Sequence, residues 1–297
     1  MIARRPRGLR QYLAVAGFLA PALILLGIFV VAPVVWAVGL SVTDWRLTGP
    51  TALHPKIIGL TNYGRLLASD DFRQAFWRTA VFVVFSALIG QFLLGLASAL
   101  ALNRRDVRIK GLWGAAILMP LVVPETVAAF AWSSMLESSD QGTVNRVIGL
   151  AGVPPVAWLQ DNAMLAIIVV NIWRGIAFAM ILFAAALQGV PQEVNEAATV
   201  DGASPRQLLT KITLPLIKPA IVLYMLLTTI GTVTVFGLIY FLTRGGPGGD
   251  TTTLAIFVYE RAFKFFEIGL GSAASVIMLG LVLGIGLIYV RLLRAQV

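Results

Sequence analysis

Two charged residues, Glu125 and Arg174, lie inside long apolar segments, where a charge is costly and tends to face protein or water. Each lies near the middle of its segment, so the two could form an ion pair between antiparallel neighbouring helices. The same carboxylate and guanidinium could instead line a path and bind sugar hydroxyls or a phosphate. The sequence leaves both interpretations open: a structural pair that fixes helix register, and a pair at a substrate path.

Two neighbours of Arg174 carry groups that sugars often use. Asn171 contributes an amide and Trp173 an aromatic ring, although aromatic residues in a membrane chain are more often interface anchors or core. We therefore treat Glu125, Asn171, Trp173 and Arg174 as the candidate substrate path. An arginine here permits an anionic substrate, but a neighbouring Glu125 would neutralise its charge.

The sequence lacks the residues that several other kinds of chemistry require. The sequence contains no cysteine, which excludes a disulfide framework, a thiol nucleophile and a thiolate metal site. No G-x-x-x-x-G-K-[ST] segment occurs, and the glycine-rich "TRGGPGG" lacks the lysine of a phosphate-binding loop. An enzyme at a membrane face would need clustered acids or histidines, and Asp44, Asp70 and Asp71 are scattered. We expect no enzyme activity, no metal site and no cofactor on this chain.

Composition identifies the environment of these residues. The chain has 297 residues, of which 58% are hydrophobic and 12% charged, with a mean hydropathy of +0.87. Ordinary globular domains are about one quarter charged, so this is a membrane protein. The net charge of +9 comes from basic residues between apolar segments, which favours the membrane surface as partner and not nucleic acid. We predict one all-α integral membrane domain over residues 1–297.

Six apolar segments are long enough to cross about 30 Å of hydrocarbon at about 1.5 Å per residue. The first begins like a signal peptide, but its apolar run is too long for one, so we expect a retained helix. The predicted spans are residues 11–43, 79–103, 111–136, 162–190, 219–243 and 268–290.

The distribution of Lys and Arg predicts the orientation of these spans. With both termini in the cytoplasm, the inner segments hold thirteen Lys or Arg in 54 residues, whereas the outer segments hold nine in 84. The segment "NRRDVRIK", residues 103–110, contributes most to the bias. The polar segment at residues 190–218 is then cytoplasmic.

This polar segment begins with a predicted short helix. In "EVNEAATV" the acidic residues Glu193 and Glu196 suit the positive N-terminal end of a helix. Ala197 and Ala198 are small enough to let another protein approach closely. Gly202 can take a positive φ and end the helix.

A second helix is predicted directly after the turn at Asp201. Ser204 suits the N-cap, Pro205 the first helical position and Gln207 the partner in a capping box. Pro215 should interrupt this helix before the fifth span. On these features alone, a solvated hairpin without a partner is equally possible.

Seven residues of the polar segment stand at a defined spacing: Glu196, Ala197, Ala198, Gly202, Ile212, Leu214 and Pro215. In spacing, and in its place between the fourth and fifth spans, the segment resembles the EAA loop of binding-protein-dependent ABC import permeases. The resemblance covers nearly the whole chain. "FLAPALILLGIFVVAPVVWAVGLSVTDW", "GLTNYGRLL" and "LTRGGPGGDTTTLAIFVYERAF" are similar to carbohydrate importers of the maltose and glycerol-3-phosphate type, to the first of their two paired permeases.

The resemblance implies a type I ABC importer permease fold, with a core at residues 75–290 and a first helix that wraps the neighbouring subunit. It implies a multi-pass chain of the cytoplasmic (inner) membrane that moves a mono- or oligosaccharide, or a glycerol phosphate compound, by alternating access. The implied partners are a second permease, two ATPase subunits that hold ATP and Mg²⁺, an external solute-binding protein and membrane lipid.

Within the EAA loop, residues 190–218, the resemblance also implies roles. Glu196, Ala197, Ala198 and Gly202 would contact the ATPase, with Glu193 and Asp201 as polar neighbours. An ion-driven secondary transporter is the alternative, but it would usually show paired repeats and several membrane carboxylates. The sequence has one such carboxylate and no evident repeat.

Small residues and prolines predict where the helices pack and bend. Gly95 with Ala99, and Gly280 with Gly284, predict close helix packing within or between permeases. Pro124, together with Pro120, should break hydrogen bonds in the third span. For the glycine-rich turn of the last outer loop, a place near the binding protein and a merely flexible turn both stay open.

Overall fold

The computed structural model of the protein describes residues 9–103 and 110–294. The basic residues at positions 1–8 and 104–109, which carry part of the predicted charge bias, lie outside the described residues, as do 295–297. Within the described ranges the chain is helical, and the one β-type pairing is an isolated bridge between Thr43 and Ile57.

Fourteen helical elements account for most of the described residues. They are α1 (Leu9–Leu26, Gly27–Val31 and Ala32–Ser41 without interruption), α2 (Thr61–Ala68), α3 (Asp70–Asn103), α4 (Lys110–Val122), α5 (Glu125–Met135), α6 (Thr143–Gly149), α7 (Trp158–Asp161), α8 (Ala163–Gln188), α9 (Gln192–Val200), α10 (Pro205–Leu216), α11 (Lys218–Val233), α12 (Gly237–Thr243), α13 (Leu254–Tyr259, with a π turn Glu260–Lys264) and α14 (Ile268–Arg294). The chain divides into two compact units, Met1–Ala68 with Glu260–Ile277, and Ser69–Tyr259 with Met278–Val297.

Four helices of the described residues are long and apolar enough to cross a membrane: Ala16–Ser41, Asp70–Asn103, Ala163–Gln188 and Ile268–Arg294. They correspond to the first, second, fourth and sixth predicted spans. The number rises to six if each of two bent helix pairs counts as one span. The all-helical membrane fold is therefore confirmed, and the third and fifth spans differ from a straight helix.

The third predicted span, residues 111–136, is two helices bent by 109°. The break lies at Val123 and Pro124, and Pro124 takes an extended conformation with ψ 143° as the N-cap of α5. Proline has no N–H and disfavours helix in the residue before it, which explains the position of the break. Pro120 lies inside α4 without ending it.

The fifth predicted span, residues 219–243, is also divided. Its first helix α11 meets α10 at an angle of 67°, with the bend at Ile217, shortly after Pro215. At its other end α11 stops at Val233, and α12 begins at Gly237. The third and the fifth predicted span thus each contain a short helix that begins inside the span, α5 in the third and α12 in the fifth.

In the first unit, the start of α14 packs on the end of α1. The buried Asn62 side chain donates to the carbonyl oxygens of Ser41 at 2.9 Å and Thr43 at 2.7 Å. A Cβ atom on Gly269 would overlap the Thr43 carbonyl. Only glycine fits this contact, which fixes the position of the start of α14 against the end of α1.

In the second unit, α3 and α8 pack closely through small residues. A Cβ on Gly95 would overlap the Cβ of Ala179, and a Cβ on Gly90 would overlap the Ile172 side chain. The predicted packing at Gly95 is confirmed. Gly280 and Gly284 on α14 behave differently, because no atom of the described residues lies within 4 Å of a Cβ built on either.

One polar residue that the sequence analysis missed organises the segment between α5 and α8. Asn145 is 2% exposed, and its Nδ2 donates to the carbonyl oxygens of Glu137, Ser139 and Val156. Its Oδ1 accepts from the backbone N–H of Val156 and from Nε1 of Trp158. A fully bonded buried amide of this kind specifies one loop conformation.

Candidate functional site

The predicted short helix of the polar segment is α9, which begins directly after Pro191. It ends in a Schellman motif: the N–H of Ala203 donates to the carbonyl of Ala198 at 2.9 Å, and that of Gly202 to the carbonyl of Thr199 at 3.1 Å. Gly202 has φ +81°, a conformation that other residues rarely adopt. The predicted helix end is confirmed, and it has a fixed geometry.

The second predicted helix is α10, and its N-terminus carries the expected capping box. The N–H of Ser204 donates to Oε1 of Gln207 at 2.8 Å, and the N–H of Gln207 donates to Oγ of Ser204 at 3.4 Å. Pro205 occupies the first helical position. α9, Gly202 and α10 thus form a helical hairpin. The end of α9 and the start of α10 are both fixed by hydrogen bonds within a few residues.

The predicted contact residues of this hairpin are not all on its surface. Ala198 is buried at 9% exposure and packs against its own chain, which corrects the expectation that both alanines face outward. The cause is helix geometry, since adjacent residues point about 100° apart. The exposed members of the set are Glu193, Glu196, Ala197, Asp201 and Gly202.

Two exposed apolar side chains lie beside Ala197 on α9, and the sequence analysis missed them. Val200 is 87% exposed and Val194 is 39% exposed. Residues three apart share a helix face, so Val194, Ala197 and Val200 form one apolar strip. That spacing was visible in the sequence. Glu196 borders the strip, and its carboxylate accepts from the side-chain amide of Gln192 at 2.6 Å.

The second candidate site lies where the broken helices meet. Glu125 is the first residue of α5, and its Oε1 accepts from the backbone N–H of Leu238 in the first turn of α12 at 2.6 Å. The same oxygen lies 3.6 Å from Nη1 of Arg174. The structure therefore places Glu125 and Arg174 together.

The Arg174 side chain is partly exposed and does not use all of its hydrogen-bond donors within the described residues. The Arg174 and Glu125 side chains are 27% and 35% exposed, and Nε of Arg174 is buried without a hydrogen-bond partner among the described residues. The rings of Trp173 and Trp132 meet edge to face, with centroids 5.7 Å apart. A guanidinium donates hydrogen bonds and an indole ring offers an apolar face, and hydroxyl-rich ligands use both kinds of group.

Asn171 does not belong to this site. It is 4% exposed, its Nδ2 donates to Oγ of Ser86 at 2.8 Å, and its backbone carbonyl accepts from Nε2 of Gln91 at 2.8 Å. These bonds join α8 to α3 inside the bundle. The inclusion of Asn171 in the substrate path is therefore wrong, because its amide is used in helix packing.

An aromatic cluster follows the second break. The rings of Phe236, Tyr240 and Tyr259 have centroids about 5 Å apart, at 5.1, 4.9 and 5.0 Å. The hydroxyl oxygens of Tyr240 and Tyr259 lie 3.4 Å apart. This hydrogen bond raises the pKa of Tyr259 above its ordinary value.

The glycine-rich segment between α12 and α13, which was predicted to be the last outer loop, is packed through its threonines. Thr251 and Thr253 are 0% and 1% exposed, and Oγ1 of Thr251 donates to the carbonyl of Gly246 at 2.8 Å. The N–H of Leu254 donates to Oγ1 of Thr79 at 2.8 Å. These contacts favour a packed segment over a merely flexible turn, and a place near the binding protein stays a prediction.

The scattered acids have local partners. Asp44 accepts from the backbone N–H of Lys56 at 2.7 Å, and Asp70 pairs with Arg73. Across residues 9–103 and 110–294, no three His, Cys, Asp or Glu residues come together in a way that could hold a metal ion.

An all-helical membrane chain with broken helices around a polar pair, and with a capped hairpin between two membrane segments, has the architecture of a transport permease. The family described as "Binding-protein-dependent transport system inner membrane component" matches residues 91–296, and the chain belongs to this family. It is a multi-pass ABC permease of the inner membrane, and its relatives are transport subunits and not enzymes. The family match favours the importer permease over the ion-driven alternative.

Two relatives and one solved structure define the similarity. The trehalose/maltose transport system permease protein MalF of Thermococcus litoralis is 36% identical over 80% of each chain. The sulfoquinovosyl glycerol transport system permease protein SmoG of Agrobacterium fabrum is 33% identical over 94% of this chain and 89% of that protein. The crystal structure of a bacterial ABC transporter involved in the import of the acidic polysaccharide alginate matches with a TM-score of 0.80 and 25% identity, over 96% of both chains. The similarity confirms the type I importer permease fold.

Proposed function

We propose that this chain is the carbohydrate-translocating permease of an ATP-driven importer that works by alternating access. The observation that carries the proposal is the exposed helix α9, whose C-terminal end is fixed by a Schellman motif, and we infer that this helix docks on an ATPase subunit. A helix that rides on a moving partner converts the closure of that partner into rocking of the bundle. ATP and Mg²⁺ would be held by the ATPase pair, since this sequence has no phosphate-binding loop.

The proposed orientation places both termini and α9 in the cytoplasm, as the Lys and Arg bias indicates. The assembly would then contain a second, different permease, two ATPase subunits and an external solute-binding protein. Glu193, Glu196, Ala197, Asp201 and Gly202 would form the ATPase contact. Ala198 would support this contact from within the chain.

The proposed cargo is a carbohydrate, because the relatives are named for trehalose and maltose, a sulfoquinovosyl glycerol and alginate. The proposed path includes Glu125, Trp173 and Arg174, with Trp132 added. Arg174 lies at the meeting point of two broken helices, and an arginine donor together with tryptophan rings would suit a hydroxyl-rich ligand. Backbone that departs from helix inside a membrane is tolerated where it lines a cavity or protein.

The test is reconstitution of the chain with its second permease, the ATPase and the binding protein. ATP hydrolysis is recorded while sugars and glycerol phosphates are added singly. We expect one class to stimulate hydrolysis. Absence of any ATPase association would contradict the proposal.

The path itself needs a matched pair of variants in the same assembly. Trp173→Ala should lower cargo uptake while basal hydrolysis persists, because the indole contacts cargo and not the ATPase. Trp77→Ala removes an indole that is 69% exposed on α3, and should leave uptake unchanged. Equal uptake in the two variants would remove Trp173 from the path.

A further inference from the structure

A polar pocket lies in the first unit, where two candidate membrane spans end. The α1 helix ends at Ser41 and α14 begins at Ile268, and the pocket is lined by the loop after α1, by α2 and by the start of α14. Its volume is about 410 Å³, which is in the range of small-ligand sites. The charged and aromatic side chains of its lining are Asp44, Trp45, Arg46, Arg65 and Glu267. We call this the arginine pocket.

One carboxylate in the arginine pocket is shared by three guanidinium groups. Glu267 is only 8% exposed, and its Oε1 pairs with Arg46 and lies 4.0 Å from Nη2 of Arg65. Its Oε2 lies 3.7 Å from Nη1 of Arg261. A single carboxylate neutralises one of three positive charges. The surplus positive charge favours an anionic occupant, because guanidinium groups bind carboxylate and phosphate oxygens in a matching geometry.

The two arginines that line the pocket have donors to offer. The Arg46 and Arg65 side chains are 50% and 55% exposed, and Arg65 makes no hydrogen bond with residues 9–103 or 110–294. The second acid of the lining, Asp44, does not cancel the surplus charge. Its carboxylate accepts from the backbone N–H of Lys56 at 2.7 Å, and the exposed Lys56 adds a further positive charge to this loop.

The same loop exposes large apolar side chains. Leu47 and Leu53, at 46% and 84% exposure, flank residues 48–51, which line the pocket. Ile57 and Leu60 follow at 82% and 75% exposure. Exposed apolar residues beside the ends of membrane spans suit contact with lipid, and tryptophan, here Trp45, is enriched at the level of the headgroups. A phospholipid would use both the arginines and the apolar loop, whereas a free phosphate would use only the arginines.

We propose that the arginine pocket binds the phosphate of an anionic phospholipid. Arg46 and Arg65 donate to the phosphate oxygens, and Leu53 and Ile57 lie among the acyl chains. The lipid thereby holds the loop after α1 against the start of α14. This binding needs neither cargo nor ATPase and does not depend on which side of the membrane the loop occupies. A failed importer assay would therefore leave it standing, and absent lipid binding would leave the proposed function standing.

The test uses the full chain in nanodiscs that contain photoactivatable phosphatidylglycerol or phosphatidylcholine, with the photoreactive group at the same acyl carbon near the glycerol. We expect phosphatidylglycerol to label residues 47–65 about fivefold more than phosphatidylcholine, as for one net charge attracted by a basic cluster. Equal labelling by the two lipids would overturn the proposal.

Inorganic phosphate distinguishes the lipid from the free anion. An excess added at constant ionic strength should leave the labelling by phosphatidylglycerol unchanged, because the membrane keeps the lipid headgroup at a high local concentration beside the pocket. Loss of the labelling would assign the pocket to free phosphate and so overturn the proposal.

A matched pair of arginine variants tests the phosphate contact. Arg65→Gln should reduce labelling by phosphatidylglycerol about fivefold, because it removes one attracting charge. Arg73→Gln removes a guanidinium that is 65% exposed and pairs with Asp70 outside the pocket, and it should preserve the labelling. Neither arginine is buried, so both variants should fold. Equal labelling of the two variants would contradict the proposal.

A second pair tests the apolar loop. Leu53→Gln should lower labelling by both lipids, because its side chain no longer favours the acyl chains. Leu150→Gln changes a side chain of equal exposure, 88% against 84%, in the segment after α6, and it should leave the labelling of residues 47–65 unchanged. Labelling that is the same in both variants would count against a lipid as the occupant and overturn the proposal.

Discussion

The carboxylate of Glu125 accepts a hydrogen bond from the backbone N–H of Leu238, 113 residues further along the chain. The first residue of α5 thereby satisfies a free N–H in the first turn of α12 and places a negative charge at its positive end. A Cβ on Gly237 would come within 3.2 Å of the Glu125 carboxyl carbon, so a small residue suits this approach. The contact joins the two short helices that follow the breaks, and Arg174 is the third member of the arrangement.

The first prediction separates the two roles of this carboxylate. Glu125→Gln keeps an acceptor for the Leu238 N–H, whereas Glu125→Ala removes it. We expect Glu125→Ala to lower the free energy of unfolding by about 1–3 kcal/mol, as for loss of a hydrogen bond to a charged group. Glu125→Gln should lose less. Thermal unfolding of the purified chain in detergent measures both.

Exchange of the pair is the sharper control. A simple ion pair would tolerate Glu125→Arg combined with Arg174→Glu. The structure predicts that the double variant is less stable than the wild-type protein, because an arginine at position 125 cannot accept a hydrogen bond from the Leu238 N–H. A double variant as stable as the wild-type protein would show that the ion pair, and not the helix cap, is what matters.

Local signals in the sequence were sufficient for the hairpin. Ser204, Gln207 and Gly202 act through bonds within a few residues, and the structure has each of them as the sequence indicates. The breaks were only partly predictable. Pro124 marks the first, but Glu125 finds its partner on a helix far along the chain, which no local pattern shows.

Asn171 shows the limit of residue type as a guide. A polar residue beside an intramembrane arginine suggests a ligand site, yet helix geometry turns it toward Ser86 on α3. Neighbours in sequence face different directions on a helix, so only the packing of α8 decides which of them meets a cavity. Asn145 was missed for a different reason, because its bonds are made across a folded loop and leave no local pattern in the sequence.

The second prediction concerns the end of α9. Gly202→Val should strain the left-handed conformation at φ +81°, by roughly 1–2 kcal/mol, and shift the helix end. Membrane insertion should persist while ATPase co-purification falls. Gly152→Val is the matched control, because Gly152 also has a positive φ of 78° and open space around it but lies outside the EAA loop. Unchanged ATPase recovery with Gly202→Val would remove this turn from the coupling contact.

The third prediction tests the apolar strip on α9. Val200 is 87% exposed, which suits a docking contact. Val200→Asp should weaken ATPase binding by about tenfold or more, because a desolvated charge in an apolar contact costs more than about 1.4 kcal/mol. Leu150→Asp changes a side chain that is 88% exposed in the segment after α6, and should leave binding unchanged. The measurement is the affinity of the ATPase for the permease pair in nanodiscs. Equal affinities for the Val200→Asp and Leu150→Asp variants would contradict a docking role for the strip.

The last prediction distinguishes small residues that pack within the chain from small residues that are open. Gly95→Leu should destabilise the isolated chain by about 1–3 kcal/mol or more, because even its Cβ would overlap the Cβ of Ala179 on α8. Gly280→Leu should leave the thermal stability of the isolated chain unchanged, since nothing described lies within 4 Å of that position. If the Gly280 and Gly284 pair serves the contact with the second permease, Gly280→Leu should instead reduce recovery of the permease pair. Full recovery of the pair would assign this face of α14 to lipid, because a close helix contact could not accept the added side chain.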